Sequence, residues 1–214
     1  MRILLTGGAG FVGSSLAIYL KNKFIQYEII VLDNLKRRGS EMNLLRFQKL
    51  GIQFIHGDVR NMDDLNSVSN IDFIIDCSAE PSVMAEQGPG VNYLISTNLV
   101  GTLNCLNLAK REQAKFLFLS TSRVYPIQRI NNLKFVEKET RFELAKNNDE
   151  LGVSLRGFSE DLSTDGYRTL YGTTKLSSEY FIEEFAQLFG IKAIVNRCGL
   201  IAGPGQFGKV DQGV

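Results

Sequence analysis

Six short apolar runs alternate with stretches of helical periodicity along most of this 214-residue chain. The runs lie at about 2–6, 28–32, 52–56, 71–76, 115–120 and 191–196. They are nearly continuous in apolar residues, which is typical of strands that are covered on both faces. Helical patterns fall between them, at about 11–22, 41–50, 61–67, 92–112 and 172–190. This alternation predicts an α/β fold, a Rossmann-type doubly wound parallel sheet with right-handed crossovers.

One long segment, at about 126–169, does not follow the alternation. It is rich in Asn, Asp, Glu and Ser and contains the run "AKNNDELG". Loops of this length inside a compact domain are usually functional or mobile. We therefore expect residues 1–214 to form one nucleotide-binding domain that carries an insertion at about 126–169.

Charge and composition exclude several classes of partner. Lys and Arg number 24 against 23 for Asp and Glu, so a net charge of +1 gives no strong field for nucleic acid or an anionic membrane. No run approaches the roughly 18 apolar residues of a membrane span, and a cytoplasmic location is expected.

Cys77, Cys105 and Cys198 are widely spaced, which predicts buried thiols rather than disulfides or a zinc site. His56, the single histidine, is expected to end the third strand, so neither a metal site nor a Ser-His-Asp triad is predicted.

A glycine-rich loop, "GGAGFVG", follows the first predicted strand and opens the first predicted helix. Gly7, Gly8, Gly10 and Gly13 satisfy both G-x-x-G-x-x-G and G-x-G-x-x-G. Such glycines allow a tight turn, a close approach of the backbone to a pyrophosphate, and close packing of helix on strand. Asp33 follows Gly13 by 20 residues, where a carboxylate binds the adenosine ribose. The combination predicts dinucleotide binding.

The acidic residue also indicates which dinucleotide binds. A carboxylate at Asp33 accepts hydrogen bonds from a ribose diol and repels a 2′-phosphate, which favours NAD over NADP. Lys36, Arg37 and Arg38 follow closely, and we interpret them as a solvated basic turn. Asp58 is placed to reach the adenine edge, while the helix N-cap position there is better filled by Asn61 (both in "HGDVRN").

Near the end of the chain, "YGTTK" sets Tyr171 and Lys175 four residues apart, on one face of a predicted helix. Lowering the pKa of a phenol from about 10 to about 7 requires about 4 kcal/mol. One positive charge about 5 Å away supplies roughly 3 kcal/mol at an effective dielectric of 20. Lys175 and an oxidised nicotinamide ring together would make Tyr171 a base for a sugar hydroxyl. Ser120, Thr121 and Ser122 follow the fifth strand, and a cap or turn role is expected for Ser120.

These motifs together resemble the extended short-chain dehydrogenase/reductase family, the NAD-dependent sugar-nucleotide epimerases and dehydratases. The matching segments cover nearly the whole chain: "TGGAGFVG", "LDNL", "HGDVR", "TNLVGTLN", "STSRVYP", "YGTTK" and "NRCGLIAGPGQ". The resemblance implies that Thr121, Tyr171 and Lys175 are the catalytic residues. It also implies NAD as cofactor, a nucleotide-sugar substrate, and a C-terminal substrate domain that is mostly outside this chain.

The resemblance also implies a set of residues that contact NAD: Gly7, Gly10, Phe11, Val12, Gly13, Asp33, Asn34, Asp58, Val59, Ser78, Ala79, Asn98, Lys175 and Cys198. Members of the family often pair through the helices near 92–112 and 172–190, so a homodimer is expected. Phe181, Phe185 and Leu188 form an apolar stripe on the second of these helices, which core packing alone would also explain.

Two departures from the family pattern stand out. Asp76 replaces the histidine of the usual "H-x-A-A" and puts the packing beside the cofactor pyrophosphate in doubt, and Pro126 replaces the glycine that usually follows "V-Y". "NLKRRGS", the insertion and the closing "DQG" resemble the CDP-paratose 2-epimerase (tyvelose epimerase) branch. In the family's 4,6-dehydratases an Asp-Glu pair follows the catalytic threonine; Ser122 and Arg123 follow it here, which disfavours dehydration.

Several functions therefore stay open at this point. Epimerisation at C2 of a CDP-hexose, through a transient keto sugar, is favoured. A UDP-sugar 4-epimerase and a dehydratase or oxidoreductase of the same family are the alternatives. A cofactor-binding regulatory protein without turnover is disfavoured, because such a protein has no need of Thr121, Tyr171 and Lys175.

Overall fold

A computed structural model describes residues 1–82 and 90–208, and within them the chain folds around one parallel sheet. Its strands, with those of two small hairpins, are β1 (Arg2–Thr6), β2 (Glu28–Asp33), β3 (Gln53–His56), β4 (Phe73–Asp76), β5 (Lys115–Thr121), β6 (Phe135–Glu137), β7 (Phe142–Leu144), β8 (Val153–Ser154), β9 (Gly157–Phe158) and β10 (Ala193–Cys198). The central sheet has the order β10-β5-β4-β1-β2-β3, and its neighbouring strands are parallel. The predicted sheet is confirmed, with strand ends that differ by no more than two residues.

Helices cover both faces of this sheet. They are α1 (Phe11–Lys23), α2 (Leu44–Leu50), α3 (Met62–Asn66), α4 (Gly90–Ile95), α5 (Gly101–Glu112), α6 (Ile127–Asn131) and α7 (Leu170–Phe189). Leu4 and Phe118 pack in a core with α3, α5 and α7, whereas Ile3 and Leu5 pack in a second core with α1 and α2. Successive side chains of β1 therefore enter opposite cores, which is why the strands read as continuous apolar runs.

The predicted helix at 92–112 contains a π-helical segment, Ser96–Val100, between α4 and α5. Asn98 lies in this segment with its side chain fully buried. Its amide oxygen accepts from the Glu80 backbone N–H at 2.7 Å, and its amide nitrogen donates to the Glu80 carbonyl at 3.2 Å. Short π segments of this kind are frequently found at functional sites. Here the segment fixes the backbone that follows β4.

The segment at 126–169 has more structure than its composition predicts. It contains α6 and two antiparallel hairpins, β6 with β7 and β8 with β9. It is held to the domain by Leu162, which packs on Val124, Tyr125 and Leu176. A hydrogen bond of 3.3 Å from the Tyr125 hydroxyl to the Ser159 carbonyl adds a polar contact. The insertion is thus anchored beside the start of α7.

Three further expectations can be compared with the structure. His56 ends β3, as predicted. The three cysteines are free thiols, but only Cys105 is fully buried, while Cys77 and Cys198 are half-buried. Within residues 1–82 and 90–208, no helix is long and apolar enough to cross a membrane, and no three His, Cys, Asp or Glu side chains form a metal-binding group.

Candidate active site

A groove of about 1040 Å³ runs along the carboxyl edge of the sheet where β1 lies between β2 and β4. Open α/β sheets bind ligands at this reversal of strand order. Ten of the residues predicted to contact the cofactor line the groove: Gly7, Gly10, Phe11, Val12, Gly13, Asp33, Asn34, Val59, Ser78 and Ala79. Four others, Asp58, Asn98, Lys175 and Cys198, are not part of its lining.

The glycine loop forms a tight cradle at the floor of this groove. Gly7 has a φ of 60°, and a Cβ there would lie 2.6 Å from the Ser78 Cα atom. A Cβ on Gly13 would lie 2.6 Å from the Gly7 carbonyl oxygen. Gly10 is the N-cap of α1 and supplies no side-chain acceptor for the first N–H groups of the helix. These free N–H groups at a helix N-terminus fit the pyrophosphate of a dinucleotide.

Asp33 lies at the end of β2, and its carboxylate faces the groove. One oxygen accepts from the Ala9 N–H at 3.0 Å, and the other accepts from the Leu35 N–H at 2.8 Å. Burial raises the pKa of Asp33, and these backbone hydrogen bonds oppose the rise. Each oxygen keeps acceptor capacity for a ribose hydroxyl. The position therefore fits the adenosine ribose of NAD.

The basic turn after Asp33 is largely exposed, with Lys36 and Arg38 at the surface, and it also makes contacts beside the groove. Lys36 places its ammonium 3.7 Å from the centroid of the Tyr93 ring, and Arg37 donates to the Phe207 carbonyl at 2.8 Å. Both residues, together with Arg38, line the groove. A cation above an aromatic face is held by the ring quadrupole. The turn therefore forms one wall of the groove.

Asp58 does not line the groove itself, but its side chain holds Asn34, which does. It accepts from the Asn34 amide at 2.9 Å and from the Arg60 guanidinium at 2.9 and 2.6 Å. Burial alone would raise the pKa of Asp58, but the hydrogen bonds from Arg60 and Asn34 outweigh it and lower the pKa to about 2. Asn61 caps α3 by accepting from the Asp63 N–H, as predicted. A direct contact of Asp58 with adenine stays a prediction.

The structure brings Thr121 and Tyr171 together. Thr121 ends β5, and Tyr171 lies in the first turn of α7, which Thr169 caps by accepting from the Gly172 N–H at 3.1 Å. A Cβ on Gly172 would lie 2.1 Å from the Arg123 carbonyl oxygen, so the helix start is pressed against the backbone after β5. Burial raises the pKa of Tyr171, and a hydrogen bond with the Thr121 side chain opposes the rise. The two hydroxyl groups are therefore available to one substrate oxygen.

Lys175 is buried one turn further along α7. Its ammonium donates to the Leu119 carbonyl at 2.9 Å and lies 4.2 Å from the centroid of the Phe118 ring. Burial lowers the pKa of Lys175. In the protein alone, burial of the phenol dominates and raises the pKa of Tyr171. That Lys175 and an oxidised nicotinamide ring together lower this pKa stays a prediction. Cys198 pairs with Thr121 in the sheet; burial raises the pKa of its thiol, and Lys175 opposes that rise.

A buried polar network behind these residues was missed from the sequence. Ser120 donates to the carboxylate of Glu179, so the expected cap or turn role of Ser120 is wrong. Arg197 donates to Glu179 at 2.8 and 3.0 Å and to the Tyr125 hydroxyl at 3.2 Å. Burial would lower the pKa of Arg197, but the Glu179 contacts outweigh it and raise the pKa. Glu179 follows Lys175 by four residues on the same helix face, which was the available signal.

A comparison with protein families gives one match over nearly the entire chain. The model of the NAD dependent epimerase/dehydratase family matches residues 3–214. CDP-paratose 2-epimerase of Salmonella typhi is 30% identical over 220 residues, which cover 100% of this chain and 61% of that protein. The dTDP-D-glucose 4,6-dehydratase of Dictyostelium discoideum is 29% identical, over 96% of this chain and 45% of its own length. The chain thus spans about half the length of the curated relatives it matches.

Solved structures give a similar result. UDP-glucuronic acid 4-epimerase from Bacillus cereus, in complex with UDP-glucuronic acid and NAD, has a TM-score of 0.73 and 27% identity, covering 96% of this chain and 59% of that one. The dTDP-glucose 4,6-dehydratase from Bacillus anthracis, in complex with NAD, has a TM-score of 0.72 and 25% identity. That alignment covers 97% of this chain and 57% of the dehydratase. Residues 211–213, which carry the "DQG" motif, lie outside the described residues.

Proposed function

The chain belongs to the NAD dependent epimerase/dehydratase family, and on that premise we propose that it epimerises a nucleotide-linked sugar. We place the inverted centre at C2 of a CDP-hexose, as in CDP-paratose 2-epimerase. The observation that carries the proposal is the pairing of Thr121 with Tyr171 at the sheet edge that holds the cofactor groove. A protein that only bound the cofactor would gain nothing from this pair.

The roles of the chain's own residues follow from their surroundings. NAD, when bound, supplies reversible hydride transfer, so that one sugar carbon passes through a ketone and is reduced on its other face. The Thr121 hydroxyl orients the substrate oxygen. Tyr171, as the phenolate, takes the proton of the substrate hydroxyl, becomes the phenol, and returns that proton when the sugar is reduced again. Because burial raises the pKa of Tyr171 in the protein alone, proton uptake depends on positive charge that arrives with the cofactor.

Epimerisation is favoured over dehydration by the residues after Thr121. Elimination of water requires an acid and a base beside the reacting carbons, and Ser122 and Arg123 supply no carboxyl group. Arg123 also acts on the phenol of Tyr171, whose pKa it lowers. A positive group in this position stabilises a phenolate and offers no acid for elimination. Inversion at C4 of a UDP-sugar is the second candidate, supported by the likeness to UDP-glucuronic acid 4-epimerase.

Assembly, location and domain structure are also proposals. Phe181 and Leu188 on α7 are 41% and 70% exposed, whereas Phe185 packs into the core. The predicted stripe is thus divided, and its exposed part fits a homodimer through α5 and α7. We further propose a cytoplasmic enzyme whose nucleotide sugar is held mainly by a C-terminal domain beyond the nucleotide-binding domain.

Product analysis in deuterated water tests the function. The full-length enzyme is incubated with CDP- and UDP-hexoses, and products are followed by NMR. We expect inversion at C2 of a CDP-hexose with no deuterium at the inverted carbon, because the hydrogen stays in the site. Deuterium at that carbon, or a 4-keto-6-deoxy product, would refute the assignment. Inversion at C4 of a UDP-sugar would select the second candidate.

A further inference from the structure

Asp76, which stands where the family usually has histidine, is fully buried at the end of β4. One carboxylate oxygen accepts from the Thr6 hydroxyl at 2.8 Å and from the Ser78 N–H at 3.1 Å, and the Ser78 hydroxyl also donates to it. The other oxygen lies 2.9 Å from the Thr102 hydroxyl. All of these donors are neutral. None of them carries a positive charge that would offset a buried carboxylate.

A comparison of the buried charged side chains indicates which cation could compensate Asp76. Among the described residues, the buried charged side chains are Asp33, Asp76, Lys175 and Glu179. Glu179 is compensated by Arg197 at 2.8 Å. Asp33 ends β2, which is separated from β4 by β1. Asp33 and Asp76 are both buried carboxylates without a bonded cation, and only Asp76 lies on a strand next to β5, where Lys175, the buried cation, is bonded.

The sheet register brings these two groups to the same place. Asp76 is the partner of Phe118 on the adjacent strand β5. Ile74 and Phe118 both enter the core beneath α5 and α7, and Asp76 shares their face because side chains alternate along a strand. The Lys175 ammonium lies 4.2 Å from the Phe118 ring centroid, on that same face. Adjacent strands are about 4.8 Å apart, so the carboxylate and the ammonium lie on the same face of the sheet over two neighbouring strands.

We propose that Asp76 is a positioning residue whose buried carboxylate is the counter-charge that keeps Lys175 an ammonium group. Its importance for turnover rests on the proposed function. The other titratable groups that act on Lys175 are Cys77, Cys198 and Glu179. Burial raises the pKa of both thiols, which are therefore neutral. Burial lowers the pKa of Lys175, and Asp76 opposes this more than the other charges do.

The direct test is the titration of Lys175 followed by NMR of protein labelled at the lysine ε-carbon, with the signal assigned through Lys175→Met. In Asp76→Asn, which keeps the shape and removes the charge, we expect the Lys175 midpoint to fall by about one pH unit or more, a tenfold change in proton affinity. Thr102→Val removes a hydrogen-bond donor but no charge and should leave the midpoint in place. An unchanged midpoint in Asp76→Asn would refute the proposal.

A second measurement covers the case in which Asp76→Asn does not fold. If the variant fails because Lys175 is left uncompensated, adding Lys175→Met should restore folding and raise the unfolding midpoint above that of the single variant. If Asp76 serves only as a hydrogen-bond acceptor, the double variant will be no more stable than Asp76→Asn, and the proposal fails. Both tests are independent of turnover, so failure of the epimerase assignment would leave their results standing.

Discussion

Replacing Asp33 with asparagine is expected to weaken the preference for NAD over NADP. One unit charge at about 5 Å contributes roughly 3 kcal/mol at an effective dielectric of 20, so a doubly charged 2′-phosphate would meet roughly 6 kcal/mol of repulsion. Salt screening and the three cations of the groove wall reduce this. Lys36 is held on Tyr93, however, and Arg37 on the Phe207 carbonyl, so these contacts limit how far the two cations can move towards a 2′-phosphate. We therefore take about half, roughly 3 kcal/mol, or a preference of about 100-fold.

Isothermal titration calorimetry with both dinucleotides measures the effect. The wild-type protein should bind NADP about 100-fold more weakly than NAD, and Asp33→Asn should reduce that ratio at least about tenfold. Asp72→Asn is the matched control. Asp72 also accepts a hydrogen bond from a backbone N–H, that of Arg2 at 2.7 Å, but it precedes β4 and so lies at the amino end of the strands, away from the groove. Equal ratios in wild type and Asp33→Asn would show that the carboxylate does not discriminate.

Four other predictions test the site and its surroundings. Tyr171→Phe should lower turnover at least about a hundredfold and leave NAD affinity nearly unchanged, and an active variant would contradict the role of the phenol. Arg197→Met should destabilise the fold by about 3–5 kcal/mol in urea unfolding, because it leaves the Glu179 carboxylate buried and unpaired. Glu179→Gln should cost less, since the Arg197 side chain is 23% exposed and can reach solvent; equal losses would argue against this asymmetry. The pKa of Asp58 is lowered to about 2 in the folded protein. Its carboxylate therefore contributes to stability above the pKa of the unfolded state, about 4, and this contribution is lost as pH falls from about 4 to about 2. The difference in unfolding free energy between wild type and Asp58→Asn should vanish over that interval. Phe181→Asp should convert the proposed dimer to a monomer in light scattering, and a wild-type protein that is already monomeric would remove the dimer proposal.

The central sheet was predictable because its strands are buried on both faces. Runs such as "RILLT" and "KFLFLS" need no tertiary information to be read as strands, and β1 and β5 lie where those runs lie. The glycine loop was equally readable, since Gly7 and Gly13 have no room for a side chain. Both features could be predicted because they depend on residue types at neighbouring positions: apolar residues for a buried strand and glycine where a side chain does not fit.

The features that were missed depend on contacts between distant segments. No local pattern distinguishes the π-helical segment at Ser96–Val100, because Asn98 bonds to Glu80 across 18 residues. Ser120 reads as a turn residue until Glu179 is known to face it. The hairpins at β6 to β9 are short and half exposed, so they lack the apolar periodicity that reveals a strand.

Gly172 constrains the position of Tyr171 relative to Thr121. Its Cα hydrogen faces the Arg123 carbonyl oxygen where a methyl group would lie at 2.1 Å, more than an ångström short of van der Waals contact. Any larger residue would have to push α7 away from the end of β5, and Tyr171 would move with the helix while Thr121 stayed with the strand. The distance between the Thr121 and Tyr171 hydroxyl groups is thus set by a contact between two backbone segments. A change of side-chain rotamer could not relieve a clash at this contact. Variants designed to alter the proposed activity should therefore keep glycine at residue 172.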